Sequence, residues 1–301
     1  MPQTRATTAC RAHLFAPGSH ERLLVKVFHA GADAVVLDLE DAVAPESKPD
    51  ARRLVAATLA ARAGVAGPVT AVRINGVDTP WWQDDLDAVI GPGLQLIRVP
   101  KAESARQIAA VDARVRSLEL ARGLEPGAIG IVATIESAAG VLAAADIARA
   151  PRVRGFTFGA ADFVRDISAD ASGQDLATLY ARQHLVVVSR ALNLEPPVAS
   201  VYTQITDLDG LRRTTEESRA LGFFGRSCIH PTQVPVVQEV FTPTPADLAA
   251  ARATVDAWDQ AVSQGVGAFT MAGGQFVDDA IVRRARAVIT LAEALKEKTS
   301  L

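Results

Sequence analysis

The chain has 301 residues, of which 49% are hydrophobic and 22% charged, and a formal net charge of −3. That balance supports a large buried core and excludes extended disorder; the slight acidity argues against nucleic-acid binding or a polybasic membrane surface as the main activity. Two distant cysteines, Cys10 and Cys228, exclude a disulfide scaffold and a cysteine-rich zinc site.

No apolar run approaches the ~20 residues of a membrane span, and the N-terminal arginines are not followed by the apolar region of a secretion signal. A cytoplasmic location with no membrane and no nucleic-acid partner is the expectation.

Short apolar runs bounded by Gly, Pro or acids predict eight strands: 12–18, 34–41, 69–76, 93–100, 130–137, 153–162, 196–205 and 224–231. Helix-like sequence separates most of them, for example 103–122, 138–150 and 177–192. Continuous apolar strands alternating with helices predict a parallel sheet buried on both faces and closed as a (β/α)8 TIM barrel. The rival is an open doubly wound sheet. It would carry a Gly-rich phosphate loop after its first strand, and no GxGxxG or GxxxxGK[ST] occurs. The expected catalytic barrel spans 1–241. Beyond it, 242–263 reads as a helix, GVGAFTMAGGQFVDD (265–279) as a Gly-rich connection and 280–298 as a last amphipathic helix. This 242–301 extension is expected to pack on the barrel or on a neighbouring subunit.

Active sites of such barrels lie at the C-terminal ends of the strands, and the polar residues gather there. AVVLDLEDAV (34–43) ends an apolar strand with Asp38, Glu40 and Asp41, which buried and unmatched would be costly. Arg73, Asn75, Lys101, Glu136, Asp162, Gln204 and His230 close other strands. Glu136 and Asp162 end adjacent strands and suit a hard cation such as Mg2+. A helix cap and a strand-ending turn would explain the same two residues. Arg73 among apolar neighbours needs an anion, either a substrate carboxylate or an internal acid such as Asp38 or Glu40. Cys228 reads as a small core residue, His230 as a core histidine holding a loop carbonyl, and Trp81–Trp82 as covering the outside of the barrel or an interface.

LFAPGSHERLLVK, GADAVVLDLEDAVAPESK, VRINGVDTPWWQDDLDAV, VPKAESA, IESAAGVLAAADIA, FGAADF and GFFGRSCIHPTQ occur in that order. Together they resemble the citrate lyase β-subunit-like branch of the HpcH/HpaI aldolase family. The resemblance implies a barrel of the phosphoenolpyruvate/pyruvate type using Mg2+, with Mn2+ as the alternative. It implies a lyase that cleaves or forms a carbon–carbon bond in citryl-, malyl- or citramalyl-CoA-type thioesters, giving an acyl-CoA and an oxo acid.

By the same resemblance, Glu136 and Asp162 would be the metal ligands and Arg73 would bind the oxo-acid carboxylate. Gly159 and Ala160 would contact substrate. Asp38, Glu40 and Asp41 would hold metal-bound waters and orient Arg73. Asp278 of GGQFVDD, with Asp279 beside it, would reach a neighbouring subunit's site as acid or base in a homotrimer or homohexamer. Arg11, Arg22 and Lys26 are candidates for the CoA phosphates. GAAD replaces the family's GAED or GADD, so Ala161 removes an acid; VDDA replaces VDxP, and GFFGR replaces GFxGK. Two rivals remain: an aldolase acting on free hydroxy-oxo acids, and the β subunit of a lyase complex whose acyl group rides on a carrier.

Overall fold

The computed structural model describes residues 10–170, 174–271 and 273–299, in two compact units divided between Glu239 and Val240. The first unit alternates strands and helices: β1 (Ala12–Pro17), α1 (Glu21–Lys26), β2 (Ala34–Asp38), α2 (Lys48–Arg62), β3 (Val69–Arg73), α3 (Trp82–Val89), β4 (Leu96–Val99) and α4 (Ala105–Ala121). There follow β5 (Gly130–Ile135), α5 (Ala138–Arg149), β6 (Val153–Phe158), α6 (Ala160–Asp166), α7 (Gln174–Ala191), α8 (Leu208–Leu221), β7 (Arg226–Cys228) and α9 (Gln233–Phe241). The seven strands form one parallel sheet in the order β6-β5-β4-β3-β2-β1-β7.

Local sequence explains the elements. Val35, Val36 and Leu37 of β2 are fully buried, and each such side chain contributes about 1.5–3 kcal/mol over an exposed one. The N-terminus of α4 is set by a capping box between Ser104 and Gln107, and its buried Ile108, Val111 and Val115 recur at helical spacing. Asp207 caps α8 through Gly210 N–H at 2.9 Å, and Gly222, at φ 103°, ends that helix in the left-handed region.

The expected strand at 196–205 does not form as a continuous strand. Val198 bridges Thr157 of β6 and Ala199 bridges Arg226 of β7, both in parallel, and no further ladder extends from them. Pro196 and Pro197 remove two consecutive backbone donors at the start of the segment. The expected strand at 153–162 is also shorter. It stops at Phe158, and Asp162 falls in the first turn of α6.

One face of the sheet is built from alternate residues of neighbouring strands. Ala34 and Val36, Val69 and Ala71, and Leu96 form a buried apolar cluster with Cys10, packed by Phe15 and Val132. Because strand side chains alternate with period two, the next residues on this face are Asp38, Arg73, Arg98 and Thr134. The face therefore turns from apolar to charged toward the C-terminal ends of its strands.

The second unit contains α10 (Pro245–Ser263), the antiparallel pair β8 (Phe269–Thr270) and β9 (Phe276–Val277), and α11 (Asp279–Thr299). α10 starts at a capping box of Thr244 and Asp247 and packs on α11, where Arg286 pairs with Asp259 at 3.1 Å. Among the described residues, no helix is long and apolar enough to cross a membrane.

Candidate active site

A cavity of about 480 Å3 lies at the C-terminal ends of the strands, lined by Asp38, Asp41, Arg73, Glu136 and Asp162, and by Gly159, Ala160 and Ala161. Seven of the ten charged or polar residues that the sequence placed at strand ends stand in or beside it: five line it, and Glu40 and Lys101 pair with each other at its edge. Asp38 and Arg73 face each other in register across β2 and β3. Arg73 donates from Nε to Asp38 Oδ1 and from NH2 to Asp38 Oδ2, both at 2.7 Å, a bidentate fork. NH1 lies 2.9 Å from Glu40 Oε2 and 3.4 Å from Asp41 Oδ2. The internal acids thus take most of the guanidinium's donors. Burial by itself would lower the Arg73 pKa, but hydrogen bonds and charge from Asp38 outweigh it and raise the value.

The loop carrying these acids is braced from below. Lys48 Nζ donates to Leu39 O at 2.9 Å and to Glu40 O at 3.1 Å, while Asn75 Nδ2 donates to Leu39 O at 2.9 Å. Asp85 holds Asn75 through N–H and Nδ2 at 2.8 and 2.7 Å, and Arg52 Nε holds Asp85 at 2.7 Å. Sequence reasoning missed Lys48, Arg52 and Asp85, because they reach the loop from helices α2 and α3 across 8–46 residues of chain. Trp81 is half-buried with Lys48 Nζ 4.9 Å from its ring centre, so it packs on this brace.

Glu136 and Asp162 are held by different devices. Glu136 is 6% exposed, and its Oε1 accepts Lys101 N–H at 2.8 Å. Lys101 adopts φ 47°, a conformation that costs a non-Gly residue about 1 kcal/mol or more and that aims its N–H at the carboxylate. Its Nζ reaches Glu40 Oε1 at 3.2 Å. The helix-capping explanation for Glu136 falls away, since Ser137 caps α5 through Gly140 N–H at 3.1 Å. Asp162 pairs with Arg165 at 2.6 Å. Asp166 accepts Ala138 N–H at 2.7 Å and ties the start of α5, two residues after Glu136, to α6, which carries Asp162.

Burial first, then the charges of Glu40 and Asp162, push the Glu136 carboxyl up to about 7 against the Lys101 hydrogen bond. A carboxyl raised in this way favours the folded state at low pH and loses that contribution as pH rises from 4.5 toward about 7. A dication at the two acids reverses the preference, because it needs both ionised. Cation affinity is therefore expected to climb about tenfold per pH unit and to level off above pH 7. Calorimetry near pH ~6 in buffers of different ionisation enthalpy checks this by the proton released on Mg2+ binding; no release would refute it.

Two carboxylates beside an open cavity fit a hard cation that keeps part of its water shell and takes remaining ligands from substrate oxygens. Among the described residues no group of three or more His, Cys, Asp or Glu forms an all-protein metal cage.

Other expectations fare differently. His230 is exposed, its Nδ1 2.8 Å from Thr232 Oγ1, and so is not a core histidine; the loop there is polar and its ring is satisfied locally. His230 and the exposed Gln204 do not line the cavity. Cys228 is buried and its thiol is pushed up to about 12 by burial, so it is a core residue and no nucleophile. Arg11 sits before β1 at the opposite end of the strands and is held by Asp33, with Arg11 NH2 to Oδ1 at 2.9 Å. That engagement removes Arg11 from the CoA candidates; Arg22 and Lys26 are exposed on α1. Asp278 lies in the second unit and accepts Ile281 N–H at 3.0 Å, capping α11.

A parallel α/β unit whose strand ends gather two carboxylates and a carboxylate-locked arginine around one cavity is suited to metal-assisted chemistry on an oxygen-rich substrate. The profile of the HpcH/HpaI aldolase/citrate lyase family matches residues 11–231, and the chain belongs to this family of carbon–carbon lyases. It is 33% identical over 297 residues to the citrate lyase subunit beta of Escherichia coli K12, covering 97% of this chain and 96% of that one. It is 34% identical over 308 residues to the L-malyl-CoA/beta-methylmalyl-CoA lyase of Rhodobacter capsulatus, covering 95% of each chain. The solved structure of CitE from Mycobacterium tuberculosis in complex with magnesium, acetoacetate and coenzyme A superposes with a TM-score of 0.77 at 30% identity, covering 95% of this chain and 98% of that one.

Proposed function

We propose that the cavity cleaves or forms the carbon–carbon bond of a 3-hydroxyacyl-CoA thioester, of citryl-, malyl- or citramalyl-CoA type, releasing an acyl-CoA and an oxo acid. The observation that carries this reading is the meeting of Glu136, Asp162 and Arg73 in one cavity at the strand ends. Glu136 and Asp162 would hold Mg2+, or Mn2+ in its place. The bound cation would act as a Lewis acid toward the oxo-acid oxygens.

The protein's own groups supply the rest. Asp38 fixes the plane of Arg73 through two hydrogen bonds, so the guanidinium meets an incoming carboxylate without reorganising. Its remaining N–H groups would bind that carboxylate, and Gly159 and Ala160 would present a surface without bulk against it. Lys101 spreads positive charge toward Glu40 and keeps the Glu136 carboxylate oriented. Asp278, from the second unit of a neighbouring subunit in a homotrimer or homohexamer, would protonate the enolate carbon of the leaving acyl-CoA or remove that proton in condensation. The two single bridges at Val198 and Ala199 span from β6 to β7, which supports closure of the seven-stranded sheet toward a barrel, with this segment in the place of the eighth strand.

The test is a coupled assay of acyl-CoA release over a panel of these thioesters with Mg2+, alongside free 4-hydroxy-2-oxo acids. One thioester is expected to turn over and to stop with chelation. Glu136→Gln is expected to lower kcat/KM at least ~1,000-fold with an unchanged melting curve, since a neutral amide is a poor ligand for a hard cation. Turnover of free acids alone, or unaltered Mg2+ affinity in that variant, would refute the assignment. For Asp278, mixing inactive Asp278→Ala and Arg73→Ala subunits is expected to restore part of the activity. No recovery in mixed oligomers would place Asp278 outside the chemistry.

A further inference from the structure

The floor of the cavity carries a charge that the reactions above leave unused. Arg98, on β4, is 2% exposed and lines the cavity from below. Its NH2 lies 2.8 Å from His13 Nδ1 and its NH1 donates to Ser227 Oγ at 3.3 Å. His13 Nε2 lies 3.1 Å from Cys10 O, so the network assigns the imidazole proton to Nε2 and Nδ1 accepts from Arg98. An imidazole carries no negative charge, so His13 brings Arg98 no counter-charge.

Phe15 offers only its ring, 5.3 Å from Arg98 Cζ, and shares that ring with Arg73 at 5.2 Å. Among the described residues no carboxylate lies within ion-pair distance of Arg98, whereas Arg73 alone engages three. A buried cation without an anion is among the costlier arrangements in a protein interior.

A second observation points the same way. Thr157 on β6 is 5% exposed, lines the same cavity, and its Oγ1 has no hydrogen-bond partner. The hydroxyls of Thr134 and Ser227 line the floor beside it. Thr134 and Thr157 precede Glu136 and Gly159 by two residues, placing this layer about 6.6 Å below the metal-binding level. The floor is a guanidinium set among hydroxyls; the charge of Asp38 reaches it only from beyond ion-pair distance, and no carboxylate pairs with it among the described residues.

We propose that Arg98 and the Thr157 hydroxyl form an anion subsite that takes a second carboxylate on the oxo-acid fragment, so that the site selects a 2-oxo dicarboxylate over a 2-oxo monocarboxylate. The identity of the fragment rests on the lyase reading given above; the subsite itself rests on the cavity floor. Arg98 acts here as a specificity-determining residue. It would bind the carboxylate farthest from the Glu136–Asp162 level, while Arg73 serves the nearer one.

Oxaloacetate and pyruvate differ by one carboxylate and are the probes, titrated calorimetrically into the full chain with Mg2+. A charge-assisted hydrogen bond corresponds to roughly 10- to 100-fold in affinity, so oxaloacetate is expected to bind about 20-fold or more tightly than pyruvate. Arg98→Met should reduce that preference to about threefold or less while leaving pyruvate affinity unchanged. Thr157→Val, which conserves shape and keeps the charge, should reduce it about fivefold and guards against a folding defect in the first variant. Equal binding of the two acids by the wild type, equal weakening of both by Arg98→Met, no change in preference with Thr157→Val, or no binding of either acid would each overturn the proposal. Failure of the lyase reading would look different: no acyl-CoA release in the coupled assay while the dicarboxylate preference stands.

Discussion

Arg73→Gln is expected to lower kcat/KM by about 1,000-fold or more and to destabilise the protein by about 3–5 kcal/mol, the cost of leaving a buried ion pair half-made. Both effects follow from where the guanidinium sits. Its side chain is 17% exposed, against 2% for Asp38 and 7% for Glu40, so removing the cation leaves two nearly dry carboxylates facing each other. Burial already raises the Glu40 pKa even with Arg73 present. The variant is expected to regain stability as pH falls, because protonation relieves the repulsion. Arg73→Lys should rescue little, since an ammonium cannot span both Asp38 oxygens. Denaturant titrations across pH together with steady-state kinetics check this. A stability loss under about 1 kcal/mol would mean that the Asp38 fork is not a buried pair in solution.

Gly159→Ala is expected to weaken Mg2+ binding by at least ~100-fold with little change in fold. A Cβ at this position would lie 2.7 Å from Glu136 Cβ and closer still to its Oε2. The first contact decides the outcome: a flexible carboxylate could swing aside, but the Glu136 Cβ is fixed by the end of β5 and by the Ser137 cap that follows. The carboxylate must therefore leave its bond to Lys101 N–H. Gly155→Ala, on the same face of β6 four residues earlier, is the control. Its added Cβ would meet nothing nearer than 3.5 Å, an ordinary contact, and cation binding should be unchanged. Manganese titration followed by paramagnetic resonance measures both. Equal affinities for the two variants would show that Glu136 is free to relocate, and would weaken its assignment as a ligand.

The two expectations separate the charge balance of the site from its shape. Arg73 matters because its acids have been brought out of water. Gly159 matters because a strand end and a helix start approach closer than any side chain allows, where β6 gives way to α6 and the acid of α6 comes beside that of β5. The bond from Asp166 to Ala138 N–H fastens the same junction from the helix side. Ala161, beside Asp162 in the cavity wall, leaves that wall with one acid fewer than the family pattern, and neither expectation depends on it.

The chain's own order of residues determined a good deal. Apolar runs with period two or with no polar break predicted eight strands, and seven form within the expected spans, because side-chain burial on a parallel sheet is a local demand repeated along each strand. The same pattern marked Asp38, Arg73, Glu136 and Asp162, because a polar residue at the end of an apolar strand needs a reason. Arg98 was legible by that logic too: it follows Leu96 by two on the same face, but it was read as part of the run 93–100.

Other features were decided only by the tertiary structure. Which anion answers Arg73 was open in the sequence, where Asp38 is 35 residues away; the parallel register of β2 and β3 brings the two into a fork. Lys48, Arg52 and Asp85 carry no local mark, since a charged residue on a helix is usually solvated and only helix packing makes these three a brace. The segment 196–205 had a strand's composition, and its two prolines and the space between β6 and β7 limited it to single bridges. Local sequence sets which residues must be buried and at what period. Pairing between distant charges is set by the register and packing of elements far apart in the chain, and it is there that this site acquires its chemistry.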